Sequence, residues 1–443
     1  MKFLKLKKGR KQLNKSRHYL VCLCSLLSLF MLFSIVASYG ASEKKESEPE
    51  KVVKVLVASG PEPDHLIAHK EEFENKTGIK ASIDIATREE REVRMMRELI
   101  EQRVNYDVVC LPGGTEYATF VTKGEYIPIE DYLPKEEVAQ FYARKLYTDP
   151  RTGKMAGIPQ FSNNQMLFYR KDLLNDPKEQ AAFKKRYGRD LKVPKTFKEV
   201  YQVAEFFHRP PEMYGYFFGG VDWSWFCDYD YFLYGLGENY GDENGNLTIN
   251  TPGAIKAMDH LIKLSKFNPP GWETMTFFDG DNLMKEGKIF MYQNWAYIWI
   301  TFYTEYPDKV GIAVPPGDVE PGAALGGFIA LIPKKAPNPD LAVEFVKWMG
   351  SFDYQKKLAM DLAGNLSSRR DVVNDPEVRA AYPGIKELEI ASSHAHVGRC
   401  TWKQELSSGL YDVFFKVLKG ELTIEEGMNW LQNEKFAGRK AIE

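Results

Sequence analysis

The sequence predicts an α/β fold, and the order of its local patterns is the main reason. From residue 52 to residue 111, apolar runs typical of buried strands alternate with helical patterns, an order that builds a parallel sheet covered by helices. A mostly helical segment follows over about 164–322, and strand-like runs return at 310–314 and 328–333. At 443 residues the chain has room for two or three domains of ordinary size.

The first part of the chain shows the strand-helix alternation most clearly. Gly78 follows the first helical pattern as its C-cap, and Thr87 with Glu90 forms a capping box that begins the second helix. The run YDVVCL is typical of a strand that is buried on both faces of a parallel sheet. We therefore predict strands over 52–59, 79–86 and 106–111, with helices over 66–76 and 87–103 between them.

Helix-capping residues also predict where helices begin in the middle and C-terminal segments. Thr196 and Glu199 form a second capping box. Thr251 is an N-cap that is followed by proline at the first helical position. We predict two further helices near 339–349 and 352–363, and more helices from there to the C-terminus.

The N-terminus has the pattern of an export signal. Residues 1–40 contain eight Lys or Arg and no Asp or Glu, and their uncharged run at 19–39 ends among small residues. We predict a signal peptide at 1–40, cleaved after Gly40, and a charged, proline-containing flexible tether at 41–51. The alternative is an uncleaved membrane anchor, because about 20 apolar residues can span a bilayer. Both interpretations place the body of the protein outside the cytoplasm, in a periplasmic or extracellular location.

The composition excludes several classes of protein. Hydrophobic residues make up 44% and charged residues 27% of the chain, an ordinary globular balance that excludes disordered, collagenous and polytopic membrane proteins. After residue 40 the chain has 51 basic and 61 acidic residues, a formal net charge of −10. An acidic body disfavours nucleic acid and anionic lipid as partners.

Signatures of catalysis are scarce in this sequence. It has no G-x-S-x-G, Walker A, G-x-G-x-x-G or H-E-x-x-H motif, so we predict no catalytic residue, no metal, no cofactor and no enzymatic activity. A carboxylate pair for glycoside hydrolysis remains an alternative. Carboxylates beside aromatic residues also accept hydrogen bonds from sugar hydroxyls. The acidic residues in question are Glu116, Asp222, Asp228 and Asp230.

Two histidine pairs have spacings that metal sites also use. His65 and His69 are four residues apart, but the glutamate that a hydrolytic zinc site needs is absent, and we interpret them as two exposed helix histidines. His394 and His396, with Cys400 nearby, lie in a segment rich in Ser, Ala and Gly, and we interpret them as an incidental loop pair.

The cysteines after residue 40 do not form a disulfide framework. They are three, an odd number, and none has a C-x-x-C spacing. Cys110 falls in a predicted strand, and we expect a small buried hydrophobic residue there. We expect folding without a disulfide, with a bridge between Cys227 and Cys400 as the alternative.

Two aromatic clusters carry the strongest functional signal. Eleven of the 21 residues at 214–234 are aromatic, as are eight of the 17 residues at 290–306. Some of them recur at every second position beside polar residues, and we interpret these as the lining of a ligand cleft, because flat aromatic faces beside hydrogen-bonding groups suit a sugar ring. The alternative is a purely aromatic core. The recurring residues are Trp223, Trp225, Trp295, Tyr297 and Trp299.

Six segments of the chain resemble the sequence pattern of one protein family. In chain order they are YDVVCLPGGTEYATFVTKGEYIPIEDYL, GKMAGIPQFSNNQMLFYRKDLL, VPKTFKEVYQVAEFF, FFDGDNLMKEGKIFMYQNWAYIW, GGFIALIPKKAPNPDLAVEFVKWMGSFDYQKKLA and GNLSSRRDVVNDPEV. Over about 52–440 the chain resembles the extracellular solute-binding proteins of ABC importers, in the sugar-binding group that includes maltose-binding protein. Ser367 and Ser368 stand where that pattern more commonly has proline.

This resemblance implies the periplasmic-binding-protein fold. Two α/β lobes would be joined by three hinge crossovers, near 161–166, 320–328 and 364–369, with the ligand cleft between the lobes. The lobes would close on the ligand as hinged bodies. The implied division is 52–163 plus 326–366 for lobe 1 and 164–322 plus 367–443 for lobe 2.

The resemblance also implies where ligand would bind. The family's cleft positions fall on several separate segments of this chain. The implied ligand-binding candidates are Glu62, Gly113, Glu116, Phe161, Asn163, Asp222, Trp223, Trp225, Asn294, Trp295, Tyr297, Gly327, Phe328 and Arg369.

The function that the resemblance implies is solute capture for import. The ligand would be a sugar or oligosaccharide, and the partner would be the membrane permease of an ABC importer, whose ATP hydrolysis belongs to another subunit. We expect a monomer. One alternative keeps the fold but binds another solute, such as a polyamine, a metal or a polyol phosphate. A less favoured alternative is a secreted glycoside hydrolase.

Overall fold

The computed structural model describes residues 50–442, except positions 60, 102, 113–120, 122, 143, 150, 362–365 and 383. The predicted signal peptide and nearly all of the predicted tether lie outside the described residues, as do Gly113 and Glu116. The side chain of Glu62 lies outside them too. Within the described part of the chain, no helix combines the length and the apolar character that a membrane span requires.

The first sheet begins with the strands that the sequence predicts. Strands β1 (Val52–Ala58), β2 (Lys80–Ala86) and β3 (Val108–Pro112) are parallel, with β1 between the other two. Helices α1 (Pro61–Thr77) and α2 (Arg88–Glu101) connect them. The predicted β-α-β-α-β order is therefore confirmed.

Strands from distant parts of the chain complete the first sheet. Strand β10 (Phe328–Pro333) is antiparallel to β3 and lies between it and β5 (Ile158–Ser162). Strand β11 (Leu366–Ser367) pairs with the other edge of β5, and β4 (Tyr126–Ile127) pairs with β10. The strand order is β11-β5-β10-β3-β1-β2.

The second sheet has four strands in the order β7-β8-β6-β9. Strand β6 (Gln165–Arg170) is antiparallel to both β8 (Ile289–Trp295) and β9 (Val310–Ala313). Strand β7 (Tyr214–Phe217) is parallel to β8. Each sheet has a hydrophobic core of its own, so the architecture is an α/β protein built around two sheets.

Helices surround both sheets. The predicted capping box at α2 is confirmed, because Thr87 Oγ1 accepts a hydrogen bond from the Glu90 N–H at 3.2 Å and the Glu90 carboxylate accepts one from the Thr87 N–H at 3.0 Å. After α2 the α-helices of the described residues, in chain order, are α3 (Lys135–Val138), α4 (Lys171–Leu174), α5 (Pro177–Tyr187), α6 (Phe197–Phe207), α7 (Asp222–Gly235), α8 (Pro252–Ser265), α9 (Phe277–Lys285), α10 (Trp299–Glu305), α11 (Pro339–Met349), α12 (Phe352–Asp361), α13 (Arg370–Val373), α14 (Pro376–Ala381), α15 (Ile385–Ser393), α16 (Lys403–Leu418) and α17 (Ile424–Trp430). Short 3-10 turns lie at Ile129–Tyr132, Arg144–Tyr147, Trp272–Thr274 and Ala296–Ile298, and a π-helical turn lies at Leu431–Lys435.

The chain passes twice between the two sheets, and a third passage leads from the first sheet to helices on the second core. Asn163 and Asn164 separate β5 of the first sheet from β6 of the second. The segment 314–327 leads from β9 back to β10, and the chain after β11 continues into helices that pack on the second core. These passages bring residues from distant parts of the sequence together between the two sheets.

The three cysteines of the described residues, Cys110, Cys227 and Cys400, are buried. Cys110 lies in β3 with 1% of its surface exposed, which confirms the prediction of a small buried hydrophobic residue in a strand. Burial raises the pKa of its thiol to about 12, so the thiolate that reacts with oxidants or metals is disfavoured.

Candidate functional site

The candidate site lies where the chain first passes between the two sheets. Phe161 at the end of β5 and Phe328 at the start of β10 have ring centroids 5.7 Å apart. Asn163 follows β5, and its side-chain oxygen accepts a hydrogen bond from the backbone N–H of Tyr297 at 3.1 Å. Three of the predicted segments therefore meet at this passage.

Two glycines allow these segments to approach closely. A Cβ atom on Gly326 would stand 1.9 Å from the Asn163 carbonyl oxygen and 2.5 Å from Cζ3 of Trp295. Gly327 has a φ of 96°, in the region that favours glycine, and a Cβ there would stand 2.1 Å from the Phe161 carbonyl oxygen. The indole of Trp295 consequently lies directly against the backbone that precedes β10.

A buried carboxylate on α9 holds two of the predicted residues in position. Asp281 accepts hydrogen bonds from the Asn294 amide and from the Tyr297 hydroxyl, each at 2.6 Å. It accepts a third from the Tyr292 hydroxyl, also at 2.6 Å. Burial raises the pKa of Asp281, and the three donated hydrogen bonds oppose that rise. Asp281 thus fixes the orientation of side chains that border the passage.

Partly or largely exposed aromatic rings extend the site over the second sheet. Trp223, at the start of α7, packs edge-on against Phe277 with ring centroids 5.3 Å apart, and its centroid lies 6.3 Å from that of Phe278. The Phe278 ring lies 6.1 Å from the Tyr297 ring. Trp223 is 39% and Phe278 is 52% exposed. We call Trp223, Phe277, Phe278 and Tyr297 the aromatic surface.

The aromatic surface joins the passage through Tyr297, and polar groups lie beside it. The Tyr297 hydroxyl contacts Asp281, while its backbone N–H contacts Asn163. Trp295 and Asn294 directly precede this residue in the chain, and Trp295 remains partly exposed. The structure therefore brings together seven of the predicted site residues: Phe161, Asn163, Asn294, Trp295, Tyr297, Gly327 and Phe328. Trp223 is connected to them through Phe278.

The interpretation of the recurring aromatic residues as the lining of a ligand cleft does not fit two of the tryptophans. Trp223 and Trp225 belong to a helix, where residues two apart point about 200° away from each other. Trp225 is fully buried and stacks on Tyr229 with ring centroids 5.5 Å apart. Trp299, at the start of α10, is also buried in the second core. A ligand on the aromatic surface cannot reach either indole.

Arg369 is placed in a network of protein contacts. It is 2% exposed and donates hydrogen bonds to both carboxylate oxygens of Asp371, at 3.0 and 2.7 Å, and to the Gly350 carbonyl oxygen at 2.8 Å. It also pairs with Glu137. Arg369 is a ligand-binding candidate, but these contacts occupy most of the donors that a ligand would need.

The carboxylates of α7 are also occupied or buried. Asp222 accepts a hydrogen bond from the Ser408 hydroxyl at 3.1 Å. Asp228 and Asp230 are 2% and 3% exposed. Asp230 pairs with Lys403 at 2.5 Å, and burial strongly raises the pKa of Asp228. Asp228 and Asp230 therefore lie in the core, away from any substrate on the aromatic surface.

Three contributors to this region were not predicted from the sequence. Asp281 was not predicted because its hydrogen-bond partners follow it by 11 to 16 residues. It does belong to one of the six segments that resemble the family. Phe278 escaped because it lies outside both aromatic clusters. Arg91 of α2 is fully buried with its guanidinium carbon 5.9 Å from the centre of the Phe328 ring. No local sequence pattern predicts this position.

Comparisons with known proteins agree with this architecture. The model of the family described as bacterial extracellular solute-binding protein matches residues 60–356. A protein of Deinococcus radiodurans named as a probable ABC transporter-binding protein is 24% identical over 328 residues, which cover 67% of this chain and 75% of that protein. The arabinooligosaccharide-binding protein of Bacillus subtilis is 23% identical over 256 residues, which cover 53% of this chain and 54% of that protein.

Solved structures show the same fold. The maltose-bound MalE3 of T. maritima has a TM-score of 0.72 at 23% identity, with 86% of this chain and 98% of that chain covered. The sugar-binding MalE of Xanthomonas citri has a TM-score of 0.72 at 16% identity, with 86% and 96% covered. The family match spans well over half of the chain, and the chain belongs to the bacterial extracellular solute-binding protein family.

Proposed function

We propose that this protein captures a carbohydrate, a sugar or an oligosaccharide, outside the cytoplasm and delivers it to the permease of an ABC importer. The observation that carries the proposal is the aromatic surface, with hydrogen-bonding side chains beside it at the passage between the two sheets. A sugar ring offers an apolar C–H face for stacking and hydroxyls for hydrogen bonds. The neighbouring Asn163, whose side chain is partly exposed, would supply the second kind of contact, while the buried Asn294 holds Tyr297 and Asp281 in place.

The proposed cleft requires two lobes that move as hinged bodies. We propose lobe 1 as 52–163 plus 326–366 and lobe 2 as 164–322 plus 367–443. The separate cores of the two sheets and the three passages of the chain between them support this division. Closure of the lobes would bring Phe161 and Phe328 toward the aromatic surface.

The names of the relatives guide the choice of carbohydrate. Related proteins are named or crystallised with arabinooligosaccharide, maltose, α-D-tagatose and ribitol. These ligands range from linear polyols to oligosaccharides. A run of several rings, from Trp223 to Tyr297, offers more stacking area than one small sugar covers, so an oligosaccharide is the class we favour.

The chemistry of the site argues against the two alternative functions, binding of another solute and glycoside hydrolysis. A polyamine or metal would favour a cleft rich in carboxylates, whereas the described acidic groups of the site are engaged, as Asp281 is by three donors. A glycoside hydrolase would need a pair of accessible carboxylates. Asp228 and Asp230 cannot supply it because they lie in the core. We therefore propose that the protein binds without turnover.

A thermal-shift screen of the mature protein tests this function. Arabino-oligosaccharides, maltose, tagatose and ribitol should be compared with a polyamine and a polyol phosphate. A ligand at a hundred times its Kd adds about 2.7 kcal/mol of stability, which a melting curve resolves easily. A stabilising carbohydrate that remains intact after long incubation supports the proposal. A shift with the non-sugar solutes alone, or release of hydrolysis products, would contradict it.

A further inference from the structure

A histidine and carboxylate cluster lies on the first lobe, outside the candidate ligand site. His65 and His69 of α1 face Asp361, the last residue of α12. The interpretation of both histidines as exposed is wrong, since the His65 side chain is 2% and the His69 side chain 21% exposed. One possible ligand atom from each of the three residues lies within 4.8 Å of the other two.

We propose that these three residues bind a divalent transition-metal ion of the zinc class. The i, i+4 spacing places both imidazoles on one face of α1, and the carboxylate approaches them from another helix. Imidazole nitrogen with a carboxylate oxygen is a ligand set that suits Zn²⁺, whereas Ca²⁺ and Mg²⁺ prefer oxygen ligands alone. The remaining coordination positions would be filled by water, because Asp361 is about half exposed at the surface.

The distances in the cluster are close to those that a bound ion would impose. With metal–ligand bonds of about 2.0–2.1 Å, neighbouring ligand atoms of a tetrahedral site are about 3.3 Å apart. The Asp361 Oδ2 atom lies 3.3 Å from His65 Nδ1 and 2.8 Å from His69 Nε2. The side chains therefore need only small shifts to receive an ion.

The other nitrogen of His69 has the environment that metal-bound histidines use. Its Nδ1 atom lies 3.4 Å from Glu72 Oε1, and Glu72 is itself held by Lys357. A carboxylate that accepts the second ring N–H fixes the tautomer and the orientation of a ligating imidazole. This arrangement leaves His69 Nε2 directed at the position between the two other residues.

His65 is the residue that hydrogen bonding alone does not explain. The contact between His69 and Asp361 does not require a metal ion, because the two side chains form an ordinary hydrogen bond. His65, however, is buried against Tyr354 with ring centroids 5.2 Å apart. Its Nδ1 atom has only the 3.3 Å contact with Asp361, which lacks good hydrogen-bond geometry, and its Nε2 atom has no hydrogen-bond partner among the described residues. A buried imidazole with such weak hydrogen bonding is costly, and a metal ion at Nδ1 would give that nitrogen a strong partner.

Titration of metal-free, untagged mature protein with Zn²⁺ tests the proposal by calorimetry, with Co²⁺ absorption as a second readout. We expect one ion per chain and a melting temperature raised by several degrees. His69→Gln and Asp361→Asn should each weaken binding by more than about tenfold, the loss that even an outer partner of a metal ligand can cause. Both residues are partly exposed, so both variants should fold.

Two control variants locate the site. Asp353→Asn changes an exposed carboxylate on the same helix, and His394→Gln changes a histidine beside Glu320, in the other candidate pair. Both should bind Zn²⁺ as the wild type does. Absence of stoichiometric binding would overturn the proposal, as would binding that survives His69→Gln and Asp361→Asn or is lost with His394→Gln. The test uses no sugar, so its outcome is independent of the proposed function.

Discussion

The indole of Trp295 lies against the backbone of Gly326, so closely that a Cβ atom there would stand 2.5 Å from Cζ3. Trp295 ends a strand of the second sheet, and Gly326 precedes a strand of the first. This contact therefore ties the two halves of the proposed cleft together at one of the three passages of the chain.

Replacement of Gly326 should destabilise the protein. In Gly326→Ala the new methyl group would also stand 1.9 Å from the Asn163 carbonyl oxygen, so the backbone must shift. Overpacking of this kind commonly costs about 1–3 kcal/mol. Urea unfolding measures the loss. An unchanged unfolding midpoint would mean that the passage adapts freely and that the contact with Trp295 is not a constraint.

Trp223→Ala should affect ligand binding more than stability. The ring is 39% exposed on the aromatic surface, so the melting temperature without ligand should stay within a few degrees. Loss of an aromatic contact at the centre of a binding site commonly costs about 2 kcal/mol or more, roughly thirtyfold in affinity. Trp430→Ala is the matched control, since this tryptophan is 40% exposed on α17. Equal effects of the two substitutions would remove Trp223 from the site.

Trp295→Ala separates the two interpretations of the aromatic clusters. Truncation of a fully buried tryptophan to alanine costs about 3–5 kcal/mol of stability. Trp295 is only partly buried, so we expect a smaller loss of stability together with loss of the ligand-induced thermal shift. Trp225→Ala should show the opposite, a large loss of stability, because this indole is fully buried. Failure of both variants to fold would assign Trp295 to the core as well.

Arg369→Ala should weaken the fold, with little effect on ligand affinity. The substitution leaves Asp371 and Glu137 without their ion-pair partner and removes the hydrogen bond to the Gly350 carbonyl. Breaking a buried ion pair costs about 3–5 kcal/mol, and we expect less because both carboxylates are partly exposed to solvent. Arg370→Ala, at the exposed neighbouring position, is the control. A selective loss of affinity at unchanged stability would return Arg369 to the ligand site.

Acidification should destabilise the protein partly through His260. Burial against Phe197 and Phe232 lowers the pKa of His260 to about 4, whereas an exposed histidine titrates near 6.5. On acidification the unfolded chain therefore takes up the proton first. The contribution of His260 is fully present above about pH 6.5 and is lost as the pH falls toward 4.

The variant His260→Phe should reduce this loss between pH 6.5 and 4.5 by an amount on the order of 1–3 kcal/mol. Urea unfolding at a series of pH values measures it. His65 has a similarly lowered pKa, so part of the loss of stability on acidification should remain in His260→Phe. An identical profile for His260→Phe would contradict the assignment.

The sequence predicts local elements well where one pattern suffices. The runs at 52–59 and 106–111 are apolar enough to identify buried strands, and the Thr87 capping box identifies the start of α2. The placement of β10 beside β3 depends on pairing between residues more than 200 positions apart. Nothing in either segment alone specifies that partner.

The burial of side chains was predicted less completely, for two physical reasons. The spacing of Trp223 and Trp225 was interpreted with the period of a strand, whereas a helix turns the second ring into the core. Burial of His65 depends on α12, which follows it by almost 300 residues, so its spacing with His69 could not show that Tyr354 covers it. The local period of a helix decided the first outcome, and long-range packing decided the second.

Calorimetric titration of the mature protein with carbohydrates tests the central claim most directly, with wild type and Trp223→Ala compared side by side. We predict saturable binding of one carbohydrate per chain to the wild type, and binding about thirtyfold weaker or absent in Trp223→Ala. Absence of binding for every carbohydrate in the screen, or equal affinity in both proteins, would contradict a carbohydrate site on the aromatic surface.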